Sequence, residues 1–113
     1  MKEIKAFIRA NKAEEVIQSL ENVGIRGITL IDVMGIGEWL EDKSSSKYSI
    51  ACIEKYSKIA KLEIVCKDNL VHEIVEIIRQ TAYSGQKGDG LIYVSSVEMA
   101  VNIRTGAFGE EGL

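Results

Sequence analysis

Two glycine pairs carry the clearest chemical signal in this sequence. Residues 35–37 read Gly-Ile-Gly and residues 88–90 read Gly-Asp-Gly. Because glycine has no Cβ atom, such a turn lets backbone N–H groups approach a ligand and point at an anion. The same spacing is also common in hairpin turns, so the pairs alone leave a ligand site and a plain turn open. Neither pair is a Walker A loop or a dinucleotide-binding fingerprint, because the lysine-containing ending and the third glycine are missing.

Side chains that do chemistry are few, and none of them forms a catalytic set. His72 is the single histidine and lies off the apolar stripe of a predicted helix, so we expect it to be solvated. Cys66 ends a strand on its core face, where a buried, inert side chain is expected. Cys52 falls in a long loop, where a reactive thiol or a metal ligand stays open. We therefore predict no catalytic residue and no metal site.

Length, composition and charge restrict the class of protein. The chain has 113 residues, 46% apolar and 27% charged, with ten glycines and no proline, which predicts one folded domain over residues 1–113. A net charge of -3 gives no general attraction to nucleic acid. No apolar run is long enough for membrane insertion, and the N-terminus lacks a signal peptide. Two distant cysteines favour a reducing, cytoplasmic setting.

The elements that position the glycine pairs follow from hydrophobic periodicity. Strands alternate apolar and polar residues, and helices repeat apolar residues every three or four positions. Asn11 and Asp68 are predicted to cap the helices, and Gly24 is predicted to end the first one. The stripe of that helix consists of Ala13, Val16, Ile17, Leu20 and Val23. The predicted strands cover residues 2–9, 27–33, 59–66 and 91–97, the helices cover 13–23 and 69–82, and a short extra strand covers 102–105.

The order of these elements predicts an α+β protein with a ferredoxin-like βαββαβ arrangement. In it, a four-stranded antiparallel sheet carries both helices on one face. The other face is left bare, and an uncovered apolar face predicts a symmetric homo-oligomer. A long flexible loop is expected at about 38–57 and a tail at about 104–113. The residues predicted for the bare face are Phe7, Thr29, Ile31, Lys61, Glu63 and Val65.

Four segments resemble one known family. Residues 81–90 read Thr-Ala-x-Ser-Gly-x-x-Gly-Asp-Gly, and residues 103–106 read Ile-Arg-Thr-Gly. Residues 21–29, Glu-x-Val-Gly-Ile-x-Gly-x-Thr, and 33–37, Val-x-Gly-x-Gly, follow the same order. Together they resemble the PII signal-transduction family of trimeric nitrogen regulatory proteins, with this chain as a divergent PII-like member. The resemblance covers almost the whole chain and implies a homotrimer with the fold just described.

The resemblance also implies a ligand and a partner. In that family an adenine nucleotide binds in clefts between subunits, and a long loop contacts a partner such as a transporter or a metabolic enzyme. Arg104 would reach across from the neighbouring subunit to a phosphate. The positions that match nucleotide contacts are Thr29, Gly35, Gly37, Glu63, Val65, Gly88, Asp89, Gly90 and Arg104. The loop residues expected to contact the partner are Trp39, Leu40, Tyr48, Ile50, Ile53 and Tyr56.

Three departures from the family pattern bear on which ligand is expected. The lysine after Gly-Asp-Gly is Leu91, the first arginine of an Arg-x-Arg pair is Asn102, and a glutamine near Mg²⁺ and 2-oxoglutarate is Trp39. Each charge-assisted contact contributes roughly 1.5–3 kcal/mol. We therefore expect ADP or AMP to be favoured over Mg-ATP, and the pattern argues against 2-oxoglutarate.

Two other classes of function stay open. A PII-like trimer responding to a metal or another small effector would keep the fold with a degraded nucleotide site, and Cys52 and His72 are its candidate ligands. An enzyme acting at the same cleft would need Asp89 or Glu63 near the phosphates. Neither class has a ligand set or a positioned base in the sequence.

Overall fold

A computed structural model describes residues 1–34 and 58–113, which form a β-sheet with two α-helices on one face. The elements follow the predicted order, with one-turn 3-10 helices before each α-helix and near the end of the chain. The loop predicted at about 38–57 lies outside the described residues. The strands are β1 (Lys2–Arg9), β2 (Thr29–Met34), β3 (Lys58–Cys66) and β4 (Gly90–Ser96), and the helices are α1 (Ala13–Asn22) and α2 (Val71–Ala82).

The sheet has the order β2-β3-β1-β4, and every neighbouring pair is antiparallel. This confirms the predicted ferredoxin-like α+β arrangement. In the middle of β1, Ile4 lies opposite Ile64 on β3 and Val94 on β4. A shift of register by one residue would turn these apolar side chains to the other face, so the alternating pattern itself specifies the pairing.

The core lies between the sheet and the helices. Ile4, Ala6 and Ile8 alternate along β1 and are buried, as the sequence pattern predicts. Each fully buried aliphatic side chain contributes about 1.5–3 kcal/mol relative to exposure, so this alternation is enough to select the face on which the helices pack. The largest fully buried side chains are Ile4, Leu20, Leu62, Ile64, Ile74, Ile78 and Val16.

The end of α1 confirms the predicted role of Gly24. Gly24 has φ +87, a conformation that glycine adopts without a steric penalty. Its N–H donates to the Glu21 carbonyl at 2.9 Å, and the Ile25 N–H donates to the Leu20 carbonyl at 3.0 Å. These two bonds form a Schellman motif, and the buried pair Leu20 and Ile25 supplies its hydrophobic contact. The turn directs the chain from α1 towards β2.

Val23 was predicted in the apolar stripe of α1, and that prediction is wrong. The helix ends at Asn22, and Val23 is its C-cap residue with 49% of its surface exposed. Because the chain leaves the helical path at this point, the next position of the stripe no longer faces the core.

The predicted side-chain caps are also absent. Asn11 and Asp68 lie in the 3-10 helices Ala10–Lys12 and Asp68–Leu70, and no cap residue of these segments forms a side-chain cap hydrogen bond. Asp68 instead pairs with the Met1 amine at 2.8 Å. This hydrogen bond lowers the pKa of Asp68. A charged donor forms a stronger contact with a carboxylate than a backbone N–H does, which is why the cap is not made.

The short strand predicted over residues 102–105 is a turn. Val101 and Phe108 form an isolated antiparallel bridge on either side of it. The Asn102 N–H donates to the Ala107 carbonyl at 2.9 Å, and the Gly106 N–H donates to the Asn102 carbonyl at 2.8 Å. The backbone therefore satisfies its hydrogen bonds within the tail and not through the sheet.

Candidate functional site

The face of the sheet opposite the helices carries the side chains predicted for it. The register places Phe7 opposite Lys61, Ile31 opposite Lys61, and Thr29 opposite Glu63. Phe7 packs edge-on against Tyr93, with ring centroids 5.9 Å apart and an interplanar angle of 79°. Lys61 Nζ lies 5.7 Å from the centroid of the Phe7 ring. This open face therefore combines aromatic surface with charge.

One group of predicted site residues lies at the β2 side of this face. Thr29, Glu63 and Val65 line one depression of about 270 Å³ together with Glu3, Arg26, Gly27 and Leu113. The group offers a hydroxyl, a carboxylate and an apolar side chain within one concave surface. Such a surface can hold a planar base, because the apolar part packs against the ring while polar groups bond to its edge.

Glu63 is ionised and held in place at this site. Its Oε1 lies 2.7 Å from Lys61 Nζ. The hydrogen bond from Lys61 lowers the pKa of Glu63, against a smaller opposing effect of desolvation. At neutral pH the carboxylate is therefore a hydrogen-bond acceptor with a free lone pair for a donor such as an exocyclic amine.

The second group is the glycine turn before β4, and Asp89 is its organising side chain. Asp89 Oδ1 accepts hydrogen bonds from Arg9 Nε at 3.2 Å and from the Ser84 hydroxyl. Its Oδ2 accepts the backbone N–H groups of Ser84 at 2.8 Å and Gly85 at 2.9 Å. Burial by itself would raise the pKa of Asp89, but these hydrogen bonds outweigh it and bring the pKa to about 2. The Asp89 carboxylate therefore stabilises the turn itself through these hydrogen bonds.

The backbone of this turn requires glycine. Gly88 has φ +103 and Gly90 has φ +112. A Cβ atom on Gly90 would lie 1.7 Å from the Phe7 carbonyl oxygen, which no side chain can tolerate. Arg9 Nη2 donates to the Lys87 carbonyl at 2.9 Å and so holds the turn from a second point.

The two groups lie at opposite edges of the same sheet. Thr29 is on β2 and Gly90 is on β4, with β3 and β1 between them. At the usual spacing of strands, the two edges are about 14 Å apart. The path between them crosses the Lys61 and Phe7 side chains of the open face. We call the depression lined by Thr29, Glu63 and Val65 the base group. Within one chain, the base group and the glycine turn are therefore separate surfaces.

The remaining predicted site residues are placed as follows. Arg104 is exposed on the turn of the tail, next to Ile103, whose side chain is fully exposed. Among the described residues, no hydrogen bond or ion pair joins either of them to the glycine turn of the same chain. The predicted positions Gly35, Gly37, Trp39, Leu40, Tyr48, Ile50, Ile53 and Tyr56 lie outside the described residues.

Sequence reasoning missed residues that shape both groups. Arg9 holds the turn and Leu113 lines the base group, yet each is far along the chain from the residues it meets. Hydrophobic periodicity carries no signal for such contacts. Ser84 and Gly85, which also bind Asp89, lie inside the matched segment 81–90.

Among residues 1–34 and 58–113, no group of His, Cys, Asp or Glu is arranged to hold a metal ion. His72 is exposed, as expected. Cys66 is buried, and this burial raises the pKa of its thiol. Cys52 lies outside the described residues. The helices in the described part of the chain are too short or too polar to cross a membrane.

Comparison with known proteins identifies similar sequences over the full length. The profile of the family described as Nitrogen regulatory protein P-II matches residues 1–107. A nitrogen regulatory protein P-II from Azospirillum brasilense is 37% identical over 113 residues, covering 100% of both chains. One from Porphyra purpurea is 43% identical over 108 residues, covering 93% of each. A nitrogen regulatory protein P-II 2 from Methanothermobacter thermautotrophicus is 40% identical over 116 residues, covering 100% of this chain and 97% of the other.

Proposed function

Because the chain belongs to the nitrogen regulatory protein P-II family, we propose that it is a signal-transduction protein that binds an adenine nucleotide in clefts between its copies. The family is one of regulatory proteins and not of enzymes. In this proposal the base contacts Thr29, Glu63 and Val65 of one copy. The phosphates contact the turn at Gly88 and Gly90 of the next copy.

The separation of the two groups carries this proposal. The base group and the glycine turn lie at opposite edges of one sheet. A mononucleotide reaches both only where the β2 edge of one copy lies beside the β4 edge of another. A ring of copies repeats this contact at every boundary, so each cleft has the same composition and closes the assembly. A homotrimer is the ring that we propose.

Exposed apolar side chains at both edges support an assembly. Leu30 faces the core side of β2 opposite the fully buried Leu62, yet it is 49% exposed. Val94 on β4 lies opposite the buried Ile4 and is 45% exposed. Residues that share a face with the core but stay half exposed mark edges that a second chain can cover.

The ligand that this cleft suits best has fewer charges than Mg-ATP. Leu91, at the position after the turn, presents apolar surface with 43% exposure. Asn102 uses its amide within the tail, where it binds the Thr105 N–H and the Gly112 carbonyl. Arg104 is then the basic side chain from the matched motif that reaches phosphate. We propose ADP or AMP as the ligand, and the same argument disfavours 2-oxoglutarate together with Mg²⁺.

Regulation is proposed to pass through the segment outside the described residues. The predicted contact residues Trp39, Leu40, Tyr48, Ile50, Ile53 and Tyr56 belong to it. They supply aromatic and aliphatic side chains of the kind that anchor protein interfaces. A transporter or a metabolic enzyme in the cytoplasm is the proposed partner, with the nucleotide as the small-molecule effector.

Calorimetric titration tests the ligand. The purified chain is titrated with AMP, ADP and ATP, the last with and without Mg²⁺, and its mass in solution is measured in parallel. We expect heat of binding with ADP or AMP and weaker binding of Mg-ATP. The absence of binding with every adenine nucleotide would contradict the proposed function.

Mixed assemblies test whether the cleft is shared between copies. Asp89→Asn damages the turn group and Val65→Glu blocks the base group, and each variant is first shown to bind poorly by itself. When the two variants are refolded together, a mixed ring contains a boundary at which both contributing groups are intact. We expect partial recovery of binding. A site made within one chain would show no recovery, since every chain then carries a damaged site.

A further inference from the structure

The end of the tail returns to the base group of its own chain. β4 ends at Ser96, beside Lys2 of β1, and the Val97 N–H donates to the Met1 carbonyl at 3.2 Å. From there the tail crosses towards the β2 edge, because Leu113 lines the same depression as Thr29 and Val65. The last residue of the chain is therefore part of the surface that we propose for the base.

Asn102 connects the two halves of this tail. Its side-chain Oδ1 accepts the Thr105 N–H at 3.0 Å, and its Nδ2 donates to the Gly112 carbonyl at 3.1 Å. The Gly106 N–H and the Ala107 carbonyl bond to its backbone. An amide both donates and accepts, whereas a carboxylate only accepts and a guanidinium only donates. Asn102 therefore couples the turn to the segment that ends in Leu113.

Gly112 shows how closely the two halves approach. A Cβ atom at this position would lie 2.6 Å from the Ala107 carbonyl oxygen and 3.2 Å from the Asn102 nitrogen. The segment Gly109–Gly112 is a 3-10 helix, and the Leu113 N–H donates to the Glu110 carbonyl at 3.2 Å. These contacts fix the position of Leu113 relative to Asn102.

We infer that Leu113 is a specificity-determining wall of the base site and that Asn102 is the residue that positions it. The inference rests on the proposed function. Leu113 adds an aliphatic side chain to a depression whose other walls carry the Thr29 hydroxyl and the Glu63 carboxylate. It contacts the ring of the bound base and not the phosphates, which meet the glycine turn of the next copy.

Leu113 is 51% exposed, so its truncation opens no cavity in the core. A loss of affinity in Leu113→Ala therefore reports on the ligand and not on stability. Asn102→Asp keeps the shape and the acceptor but loses the donor to Gly112. Matched controls are Met99→Ala, which truncates another exposed tail residue, and Asn22→Asp, which makes the same change at the surface of α1.

The experiment measures dissociation constants of the full chain for ADP, GDP and AMP. For Leu113→Ala and Asn102→Asp, we expect ADP affinity to fall roughly three- to tenfold and the preference for ADP over GDP to shrink. For Leu113→Ala, the ratio of ADP to AMP affinity stays unchanged, because the Leu113 side chain does not contact the phosphates. The double variant is expected to bind no more weakly than Leu113→Ala alone, since both changes act through one contact.

The outcomes separate the two proposals. If the parent chain binds no adenine nucleotide, the proposed function and this inference both fail. Suppose instead that the parent chain binds and that Leu113→Ala has the same affinity and base preference as both the parent and Met99→Ala. Then only the proposed role of Leu113 fails. Additive losses in the double variant would overturn the positioning role of Asn102, because an independent structural effect adds to the loss of Leu113.

Discussion

Arg9 and Asp89 form an ion pair that ties the end of β1 to the glycine turn before β4. Arg9 Nε lies 3.2 Å from Asp89 Oδ1, with the two side chains 18% and 24% exposed. The same carboxylate binds two backbone N–H groups of the turn, and Arg9 also holds the Lys87 carbonyl. The pair therefore gives the turn its shape, and under the proposed function a turn shaped in advance lowers the entropic cost of binding a ligand there.

Asp89→Asn tests this pair. The change keeps the size of the side chain but replaces a charged acceptor with an amide that cannot accept at both positions. We expect a loss of about 1–2 kcal/mol in the free energy of unfolding, measured by urea denaturation, together with weaker nucleotide binding. Glu98→Gln is the matched control, because Glu98 is exposed. Equal stability of the two variants would contradict the structural role of Asp89.

The same carboxylate predicts how stability depends on pH. The pKa of Asp89 falls from the ordinary 3.8 to about 2 in the folded chain. A lowered folded pKa contributes stability that is present above the unfolded pKa and is lost as pH falls through the folded one. Between about pH 4 and pH 2 we therefore expect the parent chain to lose more stability than Asp89→Asn does. Parallel curves of unfolding free energy against pH would contradict this prediction.

Gly90→Ala tests the need for glycine in the turn. A Cβ atom there meets the Phe7 carbonyl oxygen, so the turn must move away from β1. We expect a loss of several kcal/mol in stability, or failure to fold. Gly24→Ala is the matched control: Gly24 also has a positive φ, but open space surrounds its Cβ position. We expect Gly24→Ala to lose only about 1 kcal/mol of stability. Similar losses at both positions would show that backbone strain at positive φ, and not the clash with Phe7, sets the cost of the Gly90 substitution.

Leu91→Lys tests the proposed preference for ligands of low charge. A lysine next to the turn adds a cation where the phosphates are proposed to lie. We expect ATP affinity to rise roughly tenfold or more relative to AMP, as measured by calorimetry. Ser95→Lys is the control, since it adds the same charge further along β4. An equal gain in both variants would mean that general charge, and not this position, sets the preference.

Asn102→Arg, unlike Leu91→Lys, is expected to leave ATP affinity no higher than in the parent chain. Arginine has no acceptor for the Thr105 N–H and disrupts the tail that Asn102 organises. We therefore expect no gain in ATP affinity from this change, and faster hydrogen exchange in residues 105–113. A gain in ATP affinity equal to that of Leu91→Lys would show that the tail tolerates the loss of the amide.

Much of the fold was predictable because burial leaves a local pattern. The alternation of Ile4, Ala6 and Ile8 predicts a strand with one buried face, and the structure confirms it. The glycine after α1 predicts a left-handed turn, which the structure also confirms. The predicted cap at Asp68 failed because a distant group, the Met1 amine, competes for its carboxylate, and no local pattern encodes that competition.

The sequence by itself determined the order of the elements, the face that each one buries, and the glycines that the turns require. These properties depend on neighbours three or four residues away, or on the conformational freedom of one residue. Only the tertiary structure decided that Arg9 holds the turn through Asp89, that Asn102 fastens the tail beside the base group, and that the two predicted ligand groups lie at opposite edges of the sheet. Such contacts join residues far apart along the chain, and their partners are chosen by where the folded strands bring them together.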